Sequence, residues 1–96
     1  MKYLVIDACL GGTGIRDYYK GGYIKPDSLG LSNEITNKLS KWVKEYENEH
    51  YDGFTNEENI SRLDQQGKEI AVMIKKELDS VKISYFSDAK MIKETL

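Results

Sequence analysis

Residues 45–58 read EYENEHYDGFTNEE, and two amphipathic helical patterns meet in this stretch. Asp52-Gly53 ends the first pattern, because these residues favour turns over helix interiors. Thr55-Asn56-Glu57-Glu58 predicts a capping box, in which Thr55 and Glu58 satisfy each other's free backbone amides at the start of a second helix. The stretch therefore predicts the turn of a helix hairpin, and the rest of the fold is built around that hairpin.

The helix before the turn begins at Ser32, whose hydroxyl can accept a bond from a first-turn amide. Its apolar positions share one stripe, formed by Ile35, Leu39, Trp42, Val43 and Tyr46. The helix after the turn runs to about Asp79, and its inward-facing residues are Ile60, Leu63, Ile70, Ile74 and Leu78. Gly67 lies on that second stripe, where glycine costs on the order of 1 kcal/mol relative to alanine. We therefore expect a bulky neighbour such as Trp42 to approach closely at Gly67.

Two further segments predict strands. Residues 2–8 are short, β-branched and apolar, and residues 81–86 alternate apolar and polar side chains before ending in aromatics. A glycine-rich loop spans residues 9–31, in which only residues 22–25 indicate a short edge strand. Ser87-Asp88 could cap a last helix, so residues 88–96 are expected to form a short C-terminal helix or a tail.

These elements predict an α+β fold, a two-layer β-loop-α-α-β arrangement in which the helix hairpin packs on a small sheet. With 96 residues, of which 40% are hydrophobic and 31% charged, and a net charge of -2, the chain is expected to form a single domain, residues 1–96. The only cysteine, Cys9, cannot form an internal disulfide, and the first residues do not resemble a secretory signal. We therefore expect a cytoplasmic protein.

Catalytic chemistry is weakly supported by the residues. Cys9, His50 and Asp7 have the residue types of a thiol nucleophile, its general base and the group that orients the base. No sequence motif of a known thiol enzyme accompanies them. Gly11-Gly12-Thr13-Gly14 matches neither of the usual phosphate-binding glycine patterns. We therefore predict no catalytic residue, no cofactor and no enzymatic activity, and we interpret Cys9 as a packed side chain.

Metal and nucleic-acid binding are also disfavoured. Glu45, Glu49 and Asp52 lie at helical spacing near His50, but they lack the alternating order of a calcium loop, so no metal site is predicted. A DNA-reading helix should begin with basic residues, whereas the second helix begins with Glu57-Glu58. We predict neither a nucleic-acid partner nor a membrane partner.

A family resemblance adds to this picture. It is carried by residues 22–32, GYIKPDSLGLS, by Leu39-x-x-Trp42, by the acidic aromatic turn, by residues 67–71, GKEIA, and by the final Val-x-Ile-x-Tyr strand. Over about residues 22–86 the chain resembles small bacterial immunity proteins of contact-dependent growth inhibition and related polymorphic toxin systems. The resemblance implies a non-enzymatic cytoplasmic antidote, which binds the C-terminal nuclease domain of a toxin and blocks its active site or its substrate surface.

The charge pattern agrees with this implication independently. Nucleases present cationic surfaces to phosphate, so a carboxylate-rich inhibitor would be steered toward them. The steering residues are predicted to be Glu45, Glu47, Glu49, Asp52, Glu57 and Glu58. The aromatic anchors that supply affinity are predicted to be Tyr51, Phe54, Tyr18 and Tyr19. We expect Glu45, Glu49, Asp52 and Glu57 to lie off the apolar stripes of the helices.

Other interpretations stay open at this point. The acidic stretch could be an ordinary solvated turn with Phe54 tucked into the core. An edge strand at residues 81–86 or 22–25 could instead pair with a partner. The alternative function is a small non-enzymatic adaptor or structural protein that self-associates through its sheet edge, and a homo-oligomer is compatible with either function.

Overall fold

In the computed structural model, which describes residues 2–8 and 11–96, two helices pack on a four-stranded sheet. The strands are β1 (Lys2–Asp7), β2 (Ile15–Asp17), β3 (Val81–Ser87) and β4 (Ile92–Thr95). The helices are α1 (Asn33–Tyr51) and α2 (Glu57–Leu78), and a short 3-10 helix spans Pro26–Leu29. The predicted α+β fold, with a helix hairpin packed on a small sheet, is confirmed.

The strand order across the sheet is β2-β1-β3-β4. The central pair, β1 and β3, is parallel, and both outer strands pair antiparallel with their neighbours. Parallel neighbours need a long crossover connection, and the helix hairpin supplies most of it. Leu4 lies opposite Ile83, and Ile6 lies opposite Tyr85. Because directly opposed side chains point to the same face, these buried residues form the layer on which the helices pack.

The helix starts are set by side-chain caps. Ser32 caps α1 as predicted, since its Oγ accepts a hydrogen bond from the amide of Ile35 at 3.3 Å. The cap of α2 is Asn56, whose Oδ1 accepts from the amide of Asn59 at 3.0 Å. The prediction of Thr55 as the cap was therefore wrong by one residue. The Thr55 hydroxyl instead donates to the carbonyl oxygen of Asp52, and Asn is at least as good an N-cap as Thr.

The core lies between the helix hairpin and the sheet. All five residues of the predicted α1 stripe are buried, and the α2 stripe is buried as far as Ile74, with Leu78 partly buried at its end. Trp42 is 2% exposed, and its Nε1 donates to the carbonyl oxygen of Leu63 at 2.7 Å. A Cβ atom on Gly67 would lie 2.7 Å from Cζ2 of Trp42 and would also clash with the ring of Tyr85. The expected close approach of Trp42 is confirmed, and Tyr85 is a second reason for the glycine.

Three expectations for the sheet need correction. Residues 81–86 do not form an edge, because β3 lies between β1 and β4. Residues 22–25 make only a single bridge, between Tyr23 and Arg16 of β2. The expected short helix within residues 88–96 is replaced by a turn followed by β4, whose four residues are all exposed. β4 is held by backbone hydrogen bonds to β3. Because none of its side chains is buried, β4 shows no alternation of apolar and polar residues from which the sequence could predict a strand.

Candidate partner-binding site

The acidic turn, residues 45–58, joins the end of α1 to the start of α2, and its carboxylates lie in different environments. Glu45 is paired with Arg62, with 3.3 Å between Oε2 and Nη1. Four other carboxylates make no salt bridge with any side chain of residues 2–8 or 11–96, namely Glu47, Asp52, Glu57 and Glu58. Three of these four, Asp52, Glu57 and Glu58, are exposed, and Glu47 is partly exposed. The turn therefore presents uncompensated negative charge to solvent.

Glu49 is buried instead of solvated, with 9% of its surface exposed. Its Oε1 is buried and has no hydrogen-bond partner among the described residues. The expectation that Glu49 lies off the apolar stripe was wrong, because it follows Trp42 by seven positions and Tyr46 by three and so returns to the same helix face. Its carboxylate is therefore much less accessible to a partner than the exposed carboxylates of the turn.

The two aromatic residues of the turn differ in exposure. Tyr51 is 78% exposed at the end of α1. Phe54 is partly buried, with its ring centroid 4.7 Å from that of His50 and 6.0 Å from that of Tyr46. Its φ of 57° lies in the left-handed region, which bulky residues adopt only when their surroundings hold them there. Tyr51 is thus the exposed aromatic residue of the turn, and Phe54 closes the turn against the core.

Tyr18 and Tyr19 are not part of the same surface. They follow β2 and contact Tyr3 near the start of β1. The acidic turn lies at the other end of the parallel pair, where His50 of α1 meets Asp88 just after β3. The structure therefore separates the ten predicted binding residues into the acidic turn and a second surface, which contains Tyr18 and Tyr19.

The ionisable side chains considered for catalysis are paired in another way. His50 Nε2 lies 3.1 Å from Asp88 Oδ2, and Asp7 Oδ2 lies 3.3 Å from Arg16 Nη2. Burial and the nearby charge of Asp7 raise the pKa of Asp88, while His50 opposes this shift. Cys9 lies outside the described residues. No group of three or more His, Cys, Asp or Glu side chains within residues 2–8 and 11–96 is arranged to hold a metal ion.

A buried polar network ties both helices to β3, and the sequence reasoning missed it. Asp64 of α2 is 5% exposed and accepts hydrogen bonds from the hydroxyls of Tyr85 at 2.6 Å, Ser87 at 2.8 Å and Tyr46 at 2.9 Å. The Tyr46 hydroxyl also accepts from the amide of Ala89 at 3.2 Å. The sequence did contain a signal for this network, because Asp64 directly follows Leu63 on the buried stripe of α2. A carboxylate is rarely buried without hydrogen-bond partners. The network fixes the turn after β3 beside the acidic turn.

The network predicts an unusual tyrosine titration. Burial, with Asp64 as a further cause, raises the pKa of Tyr46 to about 12 and also raises the pKa of Tyr85. Because folding raises these pKa values, the associated stability is present below the unfolded value near pH 10 and is lost as the pH rises toward about 12. Absorbance at 295 nm should show two of the seven tyrosines ionising late. Tyr46→Phe and Tyr85→Phe should each remove one late-titrating group, whereas Tyr3→Phe should remove an early one, because the hydrogen bond with Ser84 lowers the pKa of Tyr3.

Comparison with known proteins gives the chain its family. Neither helix in the described part of the chain is long and apolar enough to span a membrane. None of the curated proteins matches the chain in sequence. A family described as Serratia CdiI immunity protein-like matches residues 7–88, which include both helices, the acidic turn, β2 and β3. This chain belongs to the Serratia CdiI immunity protein-like family, whose members are immunity proteins against toxins of contact-dependent growth inhibition.

Proposed function

We propose that this immunity protein acts in the cytoplasm as the antidote to a nuclease toxin, and that the acidic turn is the surface that binds the toxin's nuclease domain. The observation that carries the proposal is the set of four carboxylates without a salt-bridge partner in the described chain, Glu47, Asp52, Glu57 and Glu58. They share the acidic turn with the exposed Tyr51. Unpaired charges of one sign on adjoining helix ends form a surface suited to a partner of the opposite charge.

The nuclease part of the proposal rests on the chemistry of nucleic-acid substrates. A protein that cleaves RNA or DNA carries cationic side chains that contact phosphates. Carboxylates that dock on those side chains occupy the substrate surface and also accelerate the encounter between the two proteins. Inhibition by occupancy requires no catalytic group in the immunity protein, so the purified protein is expected to show no turnover of its own.

Affinity requires desolvated contacts in addition to charge. Tyr51 offers a large aromatic side chain beside the carboxylates. A cavity of about 380 Å³ lies between the start of α2 and the turn after β3. Its walls are Phe54, Glu57, Ile60, Ser61, Ala89 and Lys90. This cavity is large enough to receive a side chain of the toxin, and its walls offer it both the carboxylate of Glu57 and the ammonium group of Lys90.

Charge reversal of the acidic turn tests this function. In the variant Asp52→Lys, Glu57→Lys, Glu58→Lys, the association rate with the cognate toxin domain should fall about tenfold or more at low salt. The matched control carries Asp27→Lys, Glu34→Lys and Glu69→Lys, which change the net charge by the same amount through exposed carboxylates outside the turn. Glu34 lies in the first turn of α1, just as Glu57 and Glu58 lie in the first turn of α2. Stopped-flow mixing measures both rates, and thermal melting checks that both variants are folded.

Salt and cell protection complete the test. At about 0.5 M salt, the difference between the original protein and the turn variant should shrink, because screening removes long-range attraction. The turn variant should also protect toxin-expressing cells less well than the control. Equal association rates for the two variants at low salt would contradict the role of the acidic turn.

A further inference from the structure

The sheet has a second face, which the helices do not cover. Directly opposed residues in a sheet point to the same side, so residues that alternate with Leu4 and Ile6 of β1 point away from the helices. In the other three strands, the residues paired with these β1 positions, directly or through β3, point away from the helices as well. We call this side the outer sheet face. Its exposed or partly exposed residues are Tyr3, Arg16, Tyr18, Lys82, Phe86, Lys93 and Thr95, and its buried residues are Val5, Asp7 and Ser84.

A fixed aromatic cluster occupies this face. The rings of Tyr3 and Tyr18 stack with their centroids 4.1 Å apart and their planes 12° apart. Tyr19, which is 71% exposed, meets the edges of both rings. The Nζ of Lys93 lies 4.5 Å from the centroid of the Tyr18 ring. The Tyr18 ring is therefore already packed against another ring and an ammonium group, which argues against base stacking and favours a protein partner.

The charge of the outer sheet face is positive. Lys82 and Lys93 make no salt bridge with the described residues, and each ammonium group instead lies over a tyrosine ring. The one carboxylate on this face, Asp7, is 3% exposed and pairs with Arg16. The pKa of Tyr3 is lowered, first by its hydrogen bond with Ser84 and further by the charges of Lys93 and Lys82. An incoming carboxylate would meet the same favourable field.

We propose that the outer sheet face binds the acidic turn of a second copy of this chain. The acidic turn is the surface of this protein whose charge and exposed tyrosine complement the lysines and tyrosines of the outer sheet face. A chain's own turn cannot reach its own outer face, because the turn joins the helices on the opposite side of the sheet. The contact therefore joins separate molecules, head to tail.

Self-association would compete with toxin binding, a consequence that rests on the proposed function. The toxin and the second copy would compete for the same carboxylates, so the toxin would dissociate the assembly as it binds. Contacts built mainly from exposed charges are salt-sensitive and weak. The self-associated form would thus be a reversible store of immunity protein at low salt and high concentration.

Sedimentation equilibrium of the protein alone tests the contact without any toxin. At about 20 mM salt, the average mass should rise above the 11.0 kDa monomer as the concentration increases, and at about 0.5 M salt it should return to the monomer. One double variant carries Lys82→Glu and Lys93→Glu, and a second carries Asp52→Lys and Glu57→Lys. Each double variant should raise the dissociation constant of self-association at least about tenfold. The control Lys38→Glu, Lys41→Glu alters exposed lysines of α1 and should associate like the original protein.

Combining the two charge reversals in one chain provides the decisive measurement. The combined variant, Lys82→Glu, Lys93→Glu, Asp52→Lys, Glu57→Lys, keeps the original net charge and swaps the signs of both surfaces, so association should be restored. The proposal would be overturned if the original protein stayed monomeric at every concentration up to about 1 mM at low salt. It would also be overturned if neither double variant changed the dissociation constant of self-association. The proposed function is judged separately by the toxin association rates, so either proposal can fail while the other stands.

Discussion

Replacing Trp42 with alanine is expected to lower the free energy of unfolding by about 3–5 kcal/mol, the range found for large aromatic side chains removed from protein cores. Trp42 is 2% exposed and packs between Tyr46 and Tyr85, with ring centroids 5.8 Å and 6.0 Å away. Alanine would leave a cavity between the helix hairpin and the sheet. It would also leave the carbonyl oxygen of Leu63 without the indole donor at 2.7 Å. A domain of this size has few other core residues that can compensate.

Urea titration followed by circular dichroism measures this loss, because Trp42 is the only tryptophan and its variant has no indole fluorescence. Trp42→Phe should cost less than Trp42→Ala, since it fills part of the space while removing the hydrogen bond. The control Val72→Ala changes a residue of α2 that is 41% exposed and should cost much less than either. A loss under about 1 kcal/mol for Trp42→Ala would contradict its place in the core.

Replacing Asp64 with alanine is expected to lower the free energy of unfolding by about 3–5 kcal/mol, because it takes the shared acceptor from several buried hydroxyls at once. The carboxylate accepts hydrogen bonds from Tyr46, Tyr85 and Ser87. Without it, these buried hydroxyls lose their acceptor, and each unsatisfied group costs about 1–3 kcal/mol. The desolvation of the carboxylate that is recovered offsets part of this cost.

The same urea titration separates the hydrogen bonds from the volume of the side chain. Asp64→Asn keeps one acceptor oxygen in nearly the same position, so it should cost less than Asp64→Ala. In a Tyr85→Phe background, the effect of Asp64→Ala should shrink, because one of the stranded hydroxyls is already absent. Additive effects of the two substitutions, or a loss under about 1 kcal/mol for Asp64→Ala, would show that the network does not stabilise the fold.

The predicted binding residues show how far local pattern reaches. The acidic turn could be found from its composition, because a run of carboxylates without lysine or arginine is visible in the sequence itself. Which carboxylates are free could not be found in this way. Arg62 neutralises Glu45 from the next helix, and the packing around α1 buries Glu49. Residue type alone associates Tyr18 and Tyr19 with the turn, whereas the structure places Tyr18 on the outer sheet face and Tyr19 against the rings of Tyr3 and Tyr18.

The sequence by itself determined the two helices, the Ser32 cap, the apolar stripes and the close approach at Gly67, because helical periodicity and capping are interactions between residues a few positions apart. Only the tertiary structure decided the strand order, the pairing of the exposed β4, the acceptor role of Asp64 and the separation of the two charged surfaces. These features depend on contacts between residues far apart in the chain, such as Asp64 with Ser87 or Tyr3 with Ser84. Such contacts exist only in the assembled fold, so no local periodicity records them.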